Sequence, residues 1–169
     1  MLFCVGFLMQ GQTITQDKEK TTVDFKIKNL GLNVDGNFSE VNITSSFSKD
    51  NLSASFMNAT IAVKSIDTGN DTRDESLSEE AYFDMEKYPS INLKSTSIKQ
   101  AGNGYLLEAM LTIKETTKKV SIPLSVVVEG KTVTMTANFE LDRKDYEVGG
   151  NSWVMADMVK ISVHYQGSY

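Results

Sequence analysis

The sequence predicts an all-β fold: a single domain closed into an antiparallel barrel of about eight strands, with one or two short helices. Three observations predict it. Apolar residues recur at every second position in run after run. Turn residues separate the runs at short intervals. Only one segment carries helical spacing. Alternation of this kind marks strands with one face buried and the other in water.

The runs follow in order. Val23, Phe25 and Ile27 alternate with Asp24, Lys26 and Lys28. Asn29-Leu30-Gly31-Leu32 turns the chain, and Val41, Ile43 and Phe47 share the next face. After Lys49-Asp50-Asn51 a third strand is expected over Ser55–Lys64. A shorter, half-polar piece covers Ile91–Ile98. Ala101-Gly102-Asn103-Gly104 is a hairpin signal, because its glycines adopt positive φ without strain. Tyr105, Leu107, Ala109, Leu111 and Ile113 follow, then Val120 to Val128 at every second position. Glu129-Gly130-Lys131 turns into Val133, Met135, Ala137, Phe139 and Leu141, and Val159, Ile161, Val163 and Tyr165 close the series. The helix is expected over Asp74–Phe83, opened by an acidic cap and carrying Leu77 and Ala81 one turn apart.

A two-sheet sandwich of the immunoglobulin type fits the same alternation. Strand length favours the barrel: about nine to eleven residues at ~3.3 Å each span roughly 30 Å. That length can wrap an elongated cavity.

At 169 residues the chain suits one domain with a sizeable core. Its net charge of −5 and lack of a Lys/Arg block leave no electrostatic footprint for nucleic acid or an anionic membrane. Cys4 is the only cysteine, so the body of the domain has no internal disulfide, thiol nucleophile or Cys-rich zinc site. His164 is the only histidine, and its parity turns it to solvent. No metal site, resident cofactor, P-loop, dinucleotide fingerprint or Gly-x-Ser-x-Gly elbow is legible. A non-enzymatic role is therefore expected.

The apolar run Leu2–Met9 is too short to span a bilayer and suits the apolar core of a secretory leader. Residues 1–11 are read as a leader remnant and 12–169 as the mature domain of an exported protein. No integral membrane segment is expected; a homodimer is compatible with the chain.

The candidate site centres on Ser65–Leu77, a polar loop, and on Tyr82–Ile91, an aromatic segment closed by Pro89. A polar loop feeding an aromatic segment suits the rim of a ligand-holding barrel. Arg73 and Arg143 are the only arginines. A guanidinium offers forked donors that match phosphate or carboxylate. Arg73, Asp67, Asp74 and Arg143 are thus the candidates for a polar head group. The competing reading has each arginine tied to a neighbouring carboxylate, holding its loop. The candidates for an apolar wall are Phe25, Phe38, Phe47, Phe56, Tyr82, Phe83, Tyr88, Met110, Met135, Phe139 and Trp153. Ala59, Ala62, Ala109 and Ala137 are small enough to leave room among them.

Several motifs in order resemble the YceI-like family. Val23-Asp24-Phe25-Lys26-Ile27-Lys28-Asn29-Leu30-Gly31 looks like its opening strand and turn. Ser65–Leu77 and Phe83–Ile91 look like its central block, and Leu111-Thr112-Ile113-Lys114 like a later strand. Leu141–Gly150 looks like its late Arg-x-Asp loop, and Asp157–Ile161 like its last strand. The resemblance implies an extended, lipocalin-like eight-stranded barrel with a hydrophobic interior and a periplasmic or secreted location. It implies a long-chain amphiphilic lipid as partner, a polyisoprenoid or fatty-acid-like molecule, with the apolar residues above around its tail. Three departures stand out. Asn29 and Ser76 occupy positions where many members carry histidine, and Glu115-Thr116-Thr117 replaces a Gly-Val-Thr. The alternative function is a structural or stress-response envelope protein with a packed barrel and a protein partner.

Overall fold

The structure is a computed structural model that describes residues 12–169; the proposed leader lies outside the described residues. Eleven hydrogen-bonded segments make one antiparallel sheet. They are β1 (Thr13–Gln16), β2 (Thr22–Asn29), β3 (Leu32–Phe38), β4 (Val41–Ser46), β5 (Phe56–Ala62), β6 (Ile66–Asp67), β7 (Ser90–Ala101), β8 (Gly104–Ile113), β9 (Thr116–Glu129), β10 (Thr132–Asp142) and β11 (Met158–Ser168).

These segments make eight staves. β1 and β2 both pair with β11 and together form one broken stave. β3 and β4 form the next, facing β2 and β1 respectively. Gln16 spans the break between them. Its amide donates to the Val41 carbonyl at 3.1 Å and its side-chain oxygen accepts from the Ile43 N–H at 2.8 Å. β5, β7, β8, β9, β10 and β11 follow as a meander, and the pairing of β11 with β1 and β2 closes the ring. Closure satisfies the edge groups that an open meander would leave bare. The barrel reading holds, and the sandwich does not.

The sheet is incomplete in one place. β5 pairs with β4 but not with β3, so the outer edge of β3 is free beyond it. The two-residue β6 takes up that edge, and the chain from Gly69 to Pro89 folds over the gap. This segment carries the helix α1 (Asp71–Ser78). The helix begins three residues before the expected Asp74 and ends before Phe83. Its cap is Asn70, whose side chain accepts from the Arg73 N–H at 2.9 Å. Asp74 instead sits in the first turn, and its carboxylate accepts from the Thr68 N–H and hydroxyl. The strand expected over Ile91–Ile98 also runs longer, to Ala101, because a bulge between Ser95 and Ser97 absorbs its change of parity.

Inward positions match the alternation in the sequence. Leu107, Ala109, Ile122, Leu124, Val133, Met135 and Tyr165 are buried, and His164 is exposed. One buried layer crosses the barrel as a floor. In it the hydroxyls of Ser45 and Tyr165 lie 2.7 Å apart, and the rings of Phe47 and Tyr105 meet edge to face at 5.1 Å. Gly167 leaves the space that Tyr165 needs, since a Cβ there would stand 2.8 Å from the tyrosine oxygen.

Candidate functional site

Between the floor and the helix-bearing segment lies an apolar cavity in two adjoining parts that share wall residues. The outer part, about 190 Å³, opens under the segment and reaches Phe25, Ile27, Val34, Leu77, Phe83 and Met155. The inner part, about 130 Å³, continues down the barrel past Ala59, Leu93, Leu107, Met135, Ala137 and Phe139. Phe38, Ile91, Ile113, Leu141 and Ile161 wall both. A half-open space with so few polar groups suits an apolar guest.

Local sequence explains the shape. Phe25, Ile27 and Asn29 are the inward residues of β2, facing Gly36 and Val34 across the hairpin. Gly36 allows the Phe25 ring to lie across it. Phe25 stands 5.6 Å from Phe38, and Phe38 meets Phe83 of the covering segment edge to face at 6.4 Å. An aromatic chain therefore links barrel wall to cover. The segment is fastened on its far side as well. The Gly149 N–H donates to the Ala81 carbonyl at 2.8 Å, and a Cβ on Gly149 would stand 2.9 Å from the Tyr82 ring.

Polar groups gather at the outer end. Arg73, Ser76 and Thr68 reach the cavity from the cover, and Asn29, Arg143 and Tyr146 from the barrel rim. Arg73 makes no ion pair among the described residues, although acids surround it in sequence. Asp74, the next residue in the chain, is committed to Thr68. The side-chain oxygen of Asn29 is buried without a hydrogen-bond partner. Burial pushes the Tyr146 phenol up to about 12, with the nearby Asp145 charge adding to the effect. The outer end thus holds a free cationic donor, an unused acceptor and a phenol kept neutral.

Six of the apolar-wall candidates line the cavity: Phe25, Phe38, Tyr82, Phe83, Met135 and Phe139. The rest lie elsewhere. Phe47 belongs to the floor. Phe56 and Met110 have the opposite parity from the inward residues of their strands. Tyr88 sits on the outer side, donating to Glu115 at 3.1 Å. Trp153, read as a wall residue, is wholly exposed on a loop outside the barrel. The small residues divide too: Ala59 and Ala137 face the inner cavity, while Ala109 is sealed at 0% exposure.

Among head-group candidates only Arg73 presents a free charge to the cavity. Asp67 is exposed and accepts from the Gly69 N–H at 2.7 Å, so it shapes its own turn. Arg143 is 5% exposed, and all its guanidinium donors are engaged. Nε donates to the Ala156 carbonyl at 2.9 Å. One terminal nitrogen donates to the Val148 and Gly150 carbonyls at 2.8 and 2.6 Å. The other reaches the Met155 carbonyl and the Asp157 carboxylate, both at 3.3 Å. It is a staple for the 143–157 loop. The neighbour expected to pair with it, Asp145, bonds Lys118 instead.

The reading of the sequence did not single out the aliphatic wall: Ile27, Val34, Leu141, Val159 and Ile161. Its signal was present in the alternation near the two chain reversals at this end. No group of three or more His, Cys, Asp or Glu that could hold a metal occurs among the described residues, nor any helix long and apolar enough to cross a membrane.

Several proteins are similar to this chain in sequence or in fold. A UPF0312 protein of Photorhabdus laumondii is 33% identical over 110 residues, which is 64% of this chain and 57% of that protein. A UPF0312 protein of Yersinia pestis is 24% identical over 161 residues, 91% of this chain and 84% of that one. Among solved structures, Burkholderia cenocepacia BcnA superposes with a TM-score of 0.85 at 27% identity, covering 89% of this chain and 98% of its own. A polyisoprenoid binding domain from Saccharophagus degradans, implicated in plant cell wall breakdown, shares the fold at a TM-score of 0.72 and 13% identity, over 94% of this chain and 98% of its own. Residues 15–166 match the YceI-like domain, nearly the whole described barrel, and the chain belongs to that family.

Proposed function

We propose that this protein is a non-enzymatic carrier that encloses the tail of a long-chain amphiphilic lipid, of the isoprenoid or fatty-acid type, in its barrel. The observation that carries the reading is the apolar cavity between floor and cover, with polar groups only at its outer end. The tail enters past Phe25 and Phe83 toward Met135. The head stays near Arg73, whose donors suit a carboxylate or phosphate. The polyisoprenoid-binding domain of the same fold points the same way. Export to the cell envelope completes the proposal, supported by the apolar run Leu2–Met9 and a domain body without cysteine.

Magnitudes set the guest's size. From Val159 to Val163 the wall runs about 13 Å, at ~3.3 Å per residue. Each methylene buried there contributes ~0.8 kcal/mol gross, so ten give about 8 kcal/mol before ordering costs. At about −0.3 kcal/mol per heavy atom, a 20-atom fatty acid is limited to roughly −6 kcal/mol and a 40-atom prenyl lipid to roughly −12. The floor stops the tail, so a longer guest doubles back or extends through the mouth.

The test is organic extraction of the natively purified protein followed by mass spectrometry. A prenyl or acyl lipid in near-equimolar amount is expected. A protein that purifies empty and takes up neither class of chain from solution sinks the reading and leaves the structural alternative.

A further inference from the structure

Two chain reversals meet at the mouth of the cavity and form a lip with two unlike sides. The turn between β2 and β3 supplies Leu30 and Leu32, exposed to 72% and 73%. The loop before β11 supplies Trp153, fully exposed, and Val154. The reversals are bonded together: the Leu30 N–H donates to the Val154 carbonyl at 2.8 Å, and Asn29 bridges to Met155. Asn29 and Met155 face the cavity, while their chain neighbours Leu30 and Val154 face solvent.

This outer face is held in place. Arg143 fixes the loop through four backbone carbonyls, and the Ser152 hydroxyl accepts from the Val154 and Met155 N–H groups. Leu30 sits at φ 53° ahead of Gly31 at φ 77°. That is the first central position of a type I′ pair, where Asn, Asp or Gly is favoured and a leucine is strained. A strained, water-exposed leucine beside a fully exposed tryptophan violates two local preferences at once, which marks functional surface.

We propose that this lip, Leu30, Leu32, Trp153 and Val154, docks the protein on a zwitterionic lipid bilayer, with the indole at head-group depth and the cavity mouth against the membrane. The inference rests on the carrier reading for its purpose but not for its test. Several observations select the occupant. Tryptophan with aliphatic side chains on projecting turns is the composition of an interfacial anchor. The nearby charges are sparse and mostly paired: Lys26 bonds Asp35 at 3.0 Å, Arg143 and Lys144 share Asp157, and Lys28 is a single cation with no ion pair among the described residues. No basic cluster adjoins the patch to draw in anionic lipid, and the whole chain carries −5. Four side chains on two turn tips also fall short of the ~800 Å² per partner that a stable dimer buries.

Trp153 is the only tryptophan in the chain, so its fluorescence reports this site alone. The experiment mixes the full chain with phosphatidylcholine vesicles, with and without brominated acyl chains, and repeats it with phosphatidylglycerol added. The expected result is a blue shift of Trp153 emission and quenching by the brominated lipid, no stronger on the anionic vesicles. In Leu30→Asn/Leu32→Ser the quenching falls about tenfold or more at matched lipid, while prenyl-lipid uptake from solution is unchanged. Asparagine suits the turn, so that variant folds. Because the readout is local to Trp153, attachment through residues 1–11 does not imitate it. Emission that stays fully hydrated with vesicles overturns the proposal, as does a shift confined to anionic vesicles. A blue shift that appears with protein concentration alone assigns the patch to a second copy and also overturns it. An empty cavity with Trp153 still quenched defeats the carrier reading and leaves the docking intact.

Discussion

The ring of Phe25 lies directly across the backbone of Gly36, its partner on the neighbouring strand. A Cβ at position 36 would stand 2.3 Å from the tip of that ring. The contact sets where the aromatic chain Phe25–Phe38–Phe83 begins, and hence the width of the cavity mouth.

Gly36→Ala is therefore expected to push Phe25 into the cavity and cost about 1–3 kcal/mol as an overpacked site. Denaturant unfolding measures the cost. Adding Phe25→Leu removes the clash, so the double variant should recover much of the loss, a coupling that additive effects would not give. Full additivity would show that the ring and the glycine do not constrain each other.

Arg143→Lys tests the staple. A lysine keeps the charge but not the fork, and the carbonyls of Val148, Gly150, Met155 and Ala156 cannot all be served by one ammonium. Leaving buried acceptors unmet costs about 3 kcal/mol in total at ~1–3 kcal/mol each, with partial relief by water. Hydrogen exchange should show the 143–157 loop losing protection while β8 and β9 keep theirs. Unchanged protection in that loop would assign Arg143 another role.

The contrast between the two arginines shows what the sequence could and could not tell. Both stand among acids, and both invited the same two readings. Arg143 is satisfied by carbonyls that lie 5–13 residues ahead and come together only when the loop folds. Arg73 makes no ion pair among the described residues, because its chain neighbour Asp74 points off another side of the helix, where it accepts from Thr68. Such contacts are local but depend on how each loop folds, and they leave no spacing signal. Alternation, by contrast, is local. It revealed the inward faces of β8, β9, β10 and β11 and with them most of the wall. It could not show that β1 and β2 share a stave, because the chain from Asp17 to Thr21 carries no periodicity across the break. Trp153 failed for a different reason. Residue type suggested burial, and only the geometry of the lip shows the indole outside.

Stability should also report the phenol of Tyr146. Burial holds its folded pKa up at about 12, against an ordinary value near ~10 in the unfolded chain. Below pH ~10 both states are protonated and the residue is silent. Between pH ~10 and ~12 the folded state keeps the proton that the unfolded state releases, so stability falls as pH rises, by on the order of 2 kcal/mol across the window. Tyr165 and Tyr169 are shifted the same way by burial, so the parent must be compared with Tyr146→Phe. The parent's unfolding free energy minus that of the variant should fall with rising pH in that window alone. Parallel curves would mean that Tyr146 ionises in the fold as it does in the open chain.

Arg73→Gln separates head-group recognition from tail burial. The guanidinium has no ion-pair partner among the described residues to lose, so the variant should unfold within about 0.5 kcal/mol of the parent, as a surface change does. Its effect belongs to the ligand. A charge-assisted, forked contact contributes about 1.5–3 kcal/mol, so the affinity for a prenyl phosphate or a fatty acid should drop about tenfold or more. The corresponding prenyl alcohol has no anion to meet the fork, and its affinity should change little. Titration of both ligands against both proteins therefore gives four numbers and one decisive difference. An equal loss for alcohol and phosphate would place Arg73 in the wall and not at the head. No loss for either would move head-group recognition to the hydroxyl of Tyr146, which can donate to the anion.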